Sequence, residues 1–292
     1  MAPPIISLDD VLSIQSHPEQ GQRLVLLDVR SYLDGRDGYT EYTRGHIPGA
    51  RFVDMDTVLA SPASPEAGRH PLPSPEVFAE GLGRLGVADS AYVVAYDDLG
   101  GMVAGRLVWM LRIIGCEASL LDGGLQGWPN PLATTDLTID AHQYPLVTRT
   151  PVEWPAAAVA DAAEVDRAVA AGVVVVDSRA AERYRGETEP IDPRAGHIPG
   201  AINLPFGDNL TDGRFLPADQ LRDRFAGVGD QPIFYCGSGV SACHNVLAME
   251  AAGLPRPRLY VGSWSQWSND PTRQAATGAN PAPNTSPPTG SP

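Results

Sequence analysis

The chain has 292 residues, 43% of them hydrophobic and 19% charged, with 35 acids against 21 bases and a net charge of −14. The length suits two domains and the apolar content suits two cores, as in soluble globular proteins. The acidic balance argues against nucleic acid and anionic lipid as partners, and it obliges any anionic substrate to meet a local basic site.

The first twenty residues place no basic stretch ahead of an apolar run, so no secretory leader is expected. No stretch approaches the roughly 18 apolar residues of a membrane span. Three cysteines, Cys116, Cys236 and Cys243, are too few for a disulfide framework. A reducing, cytoplasmic setting fits this pattern and leaves a cysteine free for chemistry.

In chain order, SLDDVLSIQ reads as a helix and Leu24–Leu27 as a buried strand leading into VLLDVR (25–30) and GHIPGA (45–50). SPEVFAEGLGRLG is a second helix, with Ser74 as its N-cap and Gly86 as its stop. Tyr92–Ala95 is a strand, MVAGRLVWMLRIIG a helix, and LLDGGLQGW closes the first half. Pro- and Thr-rich residues 131–155 read as a linker. The second half repeats the order with a strand at Val173–Val176 inside VVVDSR (174–179), GHIPGA (196–201), a strand at Ile233–Tyr235, the helix SACHNVLAMEAAG and LYVGSWSQW (259–267). The tail 275–292, rich in Pro, Gly, Ser and Thr, is expected to be disordered.

The landmarks recur in one order about 140–150 residues apart, which implies two copies of one fold. Each copy alternates strands with helices and is therefore α/β, a mainly parallel sheet flanked by helices. The expected domains are 5–130 and 156–272.

The sharpest chemical feature is Cys236, directly after a buried strand and ahead of the loop Gly237-Ser238-Gly239-Val240-Ser241 and a helix. Sites in such sheets form beyond the carboxyl ends of strands. Two glycines let successive N–H groups, through Ala242, curl inward as an anion nest at the positive end of the helix. A sulfur held there as an anion is a nucleophile at neutral pH. A phosphate-ester nucleophile would need an arginine six residues on, but that position is Ala242. Cys243 and Cys116 read as structural. GHIPGA and the pairs Asp28/Arg30 and Asp177/Arg179 occur in both halves, including the one without the cysteine, and therefore read as architecture. The scattered histidines give no metal-binding spacing.

With its paired GHIPGA, paired D-[VS]-R strand ends, LLDGG and CGSGVSA, the chain resembles the rhodanese superfamily over residues 5–270, and within it the tandem-domain thiosulfate and 3-mercaptopyruvate sulfurtransferases. The resemblance implies a silent first domain, with Asp97 at the position of Cys236. It also implies a 3-mercaptopyruvate donor, since C-G-S-G-V lacks the basic residues of thiosulfate-preferring loops. It further implies a Ser238-His70-Asp56 arrangement for proton handling, and donor binding by Arg183. The family's second arginine lies nine residues later, where this chain has Asp192; Arg194 or Arg185 are the candidates to replace it.

The implied reaction is sulfur transfer through a Cys236 persulfide to a thiol, thioredoxin or cyanide, with no metal or organic cofactor. The alternatives are thiosulfate:cyanide sulfurtransfer and a non-catalytic persulfide carrier or sensing module.

Overall fold

The computed structural model describes residues 1–17, 23–135 and 144–279. Each half is built on a five-stranded sheet whose neighbouring strands are all parallel. In the first half, β1 (Ile5–Ile6), β2 (Leu24–Asp28), β3 (Arg51–Phe52), β4 (Tyr92–Tyr96) and β5 (Glu117–Leu121) lie in the order β1-β5-β4-β2-β3. In the second, β6 (Val159–Ala160), β7 (Val175–Asp177), β8 (Ile202–Asn203), β11 (Ile233–Tyr235) and β12 (Arg258–Tyr260) take the same course, β6-β12-β11-β7-β8. Between β8 and β11 the short antiparallel pair β9 (Leu210–Thr211) and β10 (Arg214–Phe215) is added.

The central strands are apolar on both sides because both faces are covered. Alternate residues feed different cores. Val25, Leu27, Val93, Ala95, Val176 and Phe234 join one core that is continuous between the halves. Leu26, Val94 and Tyr96 pack on the outer side of the first sheet, and Val175, Ile233 and Tyr235 on that of the second.

Helix ends follow the expected chemistry. Ser74 Oγ accepts the N–H of Val77 at 3.3 Å to open the helix Pro75–Arg84, and Gly86 leaves it with φ +65°.

The repeated motifs are structural joints. In each half an arginine forks onto the aspartate two residues before it, Arg30 on Asp28 and Arg179 on Asp177. The same arginine bonds the carbonyl of the glycine that opens GHIPGA, at 2.7 Å for Gly45 and 2.6 Å for Gly196. The isoleucine N–H of each GHIPGA is taken by the tyrosine hydroxyl that ends a central strand, Tyr96 or Tyr235. Those tyrosines directly precede Asp97 and Cys236, so the motif sets the height at which position 97 or 236 leaves its sheet.

The expected linker and tail both make contacts where they are described. Residues 136–143 and 280–292 lie outside the described residues. Ala133, however, pairs with His46, and Ala276 pairs with His197 in the same way, so each GHIPGA loop is covered by chain that follows its domain. Val147 bonds Gly83, Arg149 bonds Val87 and Ala88, and Trp154 Nε1 bonds Pro73 at 2.8 Å. The later part of the 131–155 segment is thus fastened to the first half.

The halves meet through equivalent helices, Ala104–Ile113 and Ala242–Ala251. Gly105 and His244 occupy matching places in the repeat and touch: a Cβ on Gly105 would lie 3.6 Å from the His244 backbone. Across this local two-fold, His244 Nε2 faces the Gly100 carbonyl at 3.1 Å and Arg106 Nη1 donates to the Gly239 carbonyl at 2.9 Å. Arg106 is fully buried, and its remaining bonds go to the carbonyls of Leu59, His70 and Pro71. Replacing Arg106 with Ala strands these carbonyls in the joint. The variant is expected to lose about 3 kcal/mol or more, measured as a lower urea midpoint or a split transition.

Candidate active site

Cys236 follows β11 and is 1% exposed. Its backbone is fixed by the helix Ser263–Trp267: its N–H donates to Ser263 Oγ at 3.2 Å and its carbonyl accepts the Trp264 N–H at 3.0 Å. Ser263 has φ +52°, a left-handed conformation costly for a residue with a side chain. Its partner in the first half is Gly124, φ +51°. The serine accepts strain that glycine avoids, and its hydroxyl, bonded onward to the Tyr260 carbonyl at 2.8 Å, anchors Cys236.

The first half shows what such a loop can hold. Asp97 is fully buried, and its carboxylate accepts four backbone N–H groups, from Leu99, Gly101, Val103 and Ala104, at 2.7–2.8 Å. Burial pushes its carboxyl up and the amides pull it down. In the second half the N–H groups of Gly237 through Ala242 meet no hydrogen-bond acceptor among the described residues. Gly239 has φ +73°, matching Gly100 at +68°. Gly237 lies under two guanidiniums: a Cβ there would stand 2.9 Å from Arg69 Nη2, which would have to shift, and in ordinary contact with Arg183 Nη1 at 3.6 Å.

Ser238 Oγ lies 2.8 Å from Nδ1 of His70, which reaches across from the first half. Asp56 does not join them. It is exposed on the π-helical turn Met55–Leu59, whose cap is Asp54, and the charges acting on His70 are those of Arg106 and Arg69. The apolar spacing of that turn buries Met55, Val58 and Leu59 and leaves Asp56 facing water.

Arg183 stands beside the loop, bound to Glu189 at 2.5 Å and Asp192 at 3.2 Å. Arg194 is turned to backbone carbonyls instead. Four of its five N–H groups donate to the carbonyls of Trp267, Ser268, Asp270 and Arg273 at 2.7–2.8 Å, closing the end of the helix that anchors Cys236. Arg185 pairs with Glu187 at the surface. The guanidinium beside Asp192 comes instead from Arg69 of the first half. Nothing in the local sequence around Asp192 points to a residue so distant. Ser263 was legible in principle, as a serine where the repeat aligns Gly124.

Val240 and Ala242 are buried, and Ser241 opens the helix Ala242–Ala251 without a side-chain cap. Cys243 lies beneath the loop, its thiol donating to the Gly239 carbonyl at 3.3 Å; burial pushes that thiol well up and makes it inert.

Burial holds His70 and His244 down to about 4 against an ordinary 6.5, with Arg106 and Arg69 adding to the effect at His70. Between those values the unfolded chain binds protons that the folded chain does not. The stability is therefore complete above about pH 6.5 and is lost as pH falls toward 4. The melting temperature is expected to drop across this window, and His244→Gln to flatten the drop, in melts followed by circular dichroism. An unchanged slope would show that the acid sensitivity has another source.

A family model described as Rhodanese-like domain matches residues 11–130 and again 161–270. The chain is 43% identical over 267 residues to the Pseudomonas aeruginosa protein named "Probable 3-mercaptopyruvate sulfurtransferase", covering 87% of this chain and 93% of that one. It is 38% identical over 266 residues to "Putative thiosulfate sulfurtransferase SseB" of Mycobacterium tuberculosis, covering 89% and 93%. Among solved structures, the 3-mercaptopyruvate sulfotransferase SseA from Escherichia coli superposes with a TM-score of 0.74 at 30% identity, over 90% of this chain and 99% of that one. No helix among the described residues is long and apolar enough to cross a membrane. With the domain matched twice and full-length relatives of one activity class, the chain belongs to the rhodanese family and is a two-domain sulfurtransferase.

Proposed function

We propose that Cys236 carries the sulfur as a persulfide and that 3-mercaptopyruvate is the donor. The observation that carries this reading is the pair of loops. Where the first half fills its amide cradle with the Asp97 carboxylate, the second half has Cys236 and unpaired N–H groups. A persulfide extends the side chain by one S–S bond, about 2.05 Å, and its terminal sulfur is an anion of the kind the cradle accommodates.

In the first step the Cys236 thiolate attacks the thiol sulfur of the donor. The S–S bond forms, the donor's C–S bond breaks, and its electron pair leaves on carbon as the enolate of pyruvate. The proton of the donor thiol ends on that carbon, giving pyruvate and Cys236–S–S⁻. Neutral His70, joined to Ser238, relays this proton in the proposed step. In the second step a thiol takes the outer sulfur and leaves as a persulfide, or cyanide takes it and leaves as thiocyanate; both regenerate the Cys236 thiolate. Thioredoxin is a thiol of suitable kind.

The loop from Gly237 to Ala242 carries no cation of its own, and the charge near it sits on Arg183 and Arg69. That arrangement suits a donor gripped by a carboxylate away from its sulfur better than a compact dianion.

Steady-state assays with 3-mercaptopyruvate and thiosulfate, each against cyanide and a dithiol, test the reading. The higher kcat/KM is expected with 3-mercaptopyruvate; the reverse order assigns thiosulfate, and negligible turnover with a stable persulfide assigns a carrier. Cys236→Ser is expected to keep its melting temperature and lose turnover by about three orders of magnitude or more. Ser238→Ala and His70→Gln are expected to lower kcat by about 100-fold while Cys236 is still loaded by donor, read by intact mass.

A further inference from the structure

A ladder of alternating charges runs from the end of β7 to the surface of the first half: Asp177, Arg179, Glu189, Arg183, Asp192 and Arg69. Its last member crosses the joint. The Arg69 backbone N–H donates to Ser265 Oγ at 3.1 Å, and the Ser265 N–H donates to the Gly237 carbonyl at 2.8 Å. Arg69 is thus pinned to the residue that follows Cys236. The approach depends on Gly68, φ +89°, where a Cβ would press on the Gly262 carbonyl at 2.7 Å.

The two guanidiniums at the end of the ladder are only partly used. Arg69 gives Nη1 to Asp192, and Arg183 gives Nη2 to Glu189 and Asp192. The Nε of each is buried without a hydrogen-bond partner. Arg69 Nη2 and Arg183 Nη1 both overhang Gly237. Two guanidiniums with unspent N–H groups converging beside a nucleophile are a built site for an anion with two oxygens.

We propose that Arg69, delivered by the N-terminal domain, is the second anion-binding guanidinium of this site, gripping the donor's carboxylate together with Arg183 while Asp192 aims it. Asp192 stands where the family resemblance leads one to expect an arginine, so the guanidinium is contributed from across the joint and the carboxylate that holds it sits in its place. The donor class this selects is a small mercapto acid whose carboxylate lies a few bonds from the reacting sulfur.

The inference rests on Cys236 as the reacting sulfur, and the test separates the two. Iodoacetate and iodoacetamide alkylate a thiolate by the same displacement, the S–C bond forming as iodide leaves, but only iodoacetate carries a carboxylate. Rates at Cys236 are followed by mass mapping. Arg69→Met is expected to slow iodoacetate about tenfold with iodoacetamide little changed, and to raise KM for 3-mercaptopyruvate by a similar factor with a smaller effect on kcat. Arg69→Gln keeps a donor for Asp192 and serves if the Met variant does not fold. An unchanged iodoacetate-to-iodoacetamide ratio in the folded variant overturns the role of Arg69 and leaves Cys236 standing. If neither reagent modifies Cys236, the reading of the site falls and this inference with it.

Discussion

Unpaired backbone amides at the end of a buried strand are the constraint on which the site depends. An N–H buried without a partner costs free energy, so a fold keeps a group of them only where something answers them. The first half answers with the Asp97 carboxylate, built into the chain. The second half has a one-carbon thiol in that place, and the N–H groups of Gly237 through Ala242 meet no acceptor among the described residues. One architecture thus yields a closed copy and an open copy through a single side chain.

The joint between the copies completes the site. A buried arginine without a carboxylate partner is costly, yet Arg106 occupies that position and binds both the Gly239 carbonyl of the cysteine loop and the carbonyl of His70. One side chain therefore sets the distance between Ser238 and the imidazole that meets it. Ser263 does the same for Cys236 at the cost of a left-handed backbone. Each holds backbone of the cysteine loop in place.

The fold was largely legible in the sequence, because apolar strand runs and a doubled GHIPGA depend on local composition and repetition. The setting of Cys236 was legible for the same reason: strand, cysteine, glycines and helix are contiguous. What escaped was set by contacts between distant segments. Arg69 and Arg106 look like ordinary arginines in their own stretches, and their importance comes from the docking of the halves. Proximity in sequence to Asp192 says nothing of the carbonyls that Arg194 meets. Asp56 lies outside because its turn buries Met55, Val58 and Leu59 and leaves the carboxylate facing water. The tail was read from composition alone, which could not reveal that Ala276 lies along His197.

The fastening of Trp154 to Pro73 and Phe78 has a consequence for how the halves stay together. With that indole held, only Pro155, Ala156, Ala157 and Ala158 separate the first half from β6. So short a tether keeps each half at an effective concentration of about millimolar or above for the other. Any opening of the joint would therefore reclose quickly, with His70 and Arg69 returned to the cysteine loop.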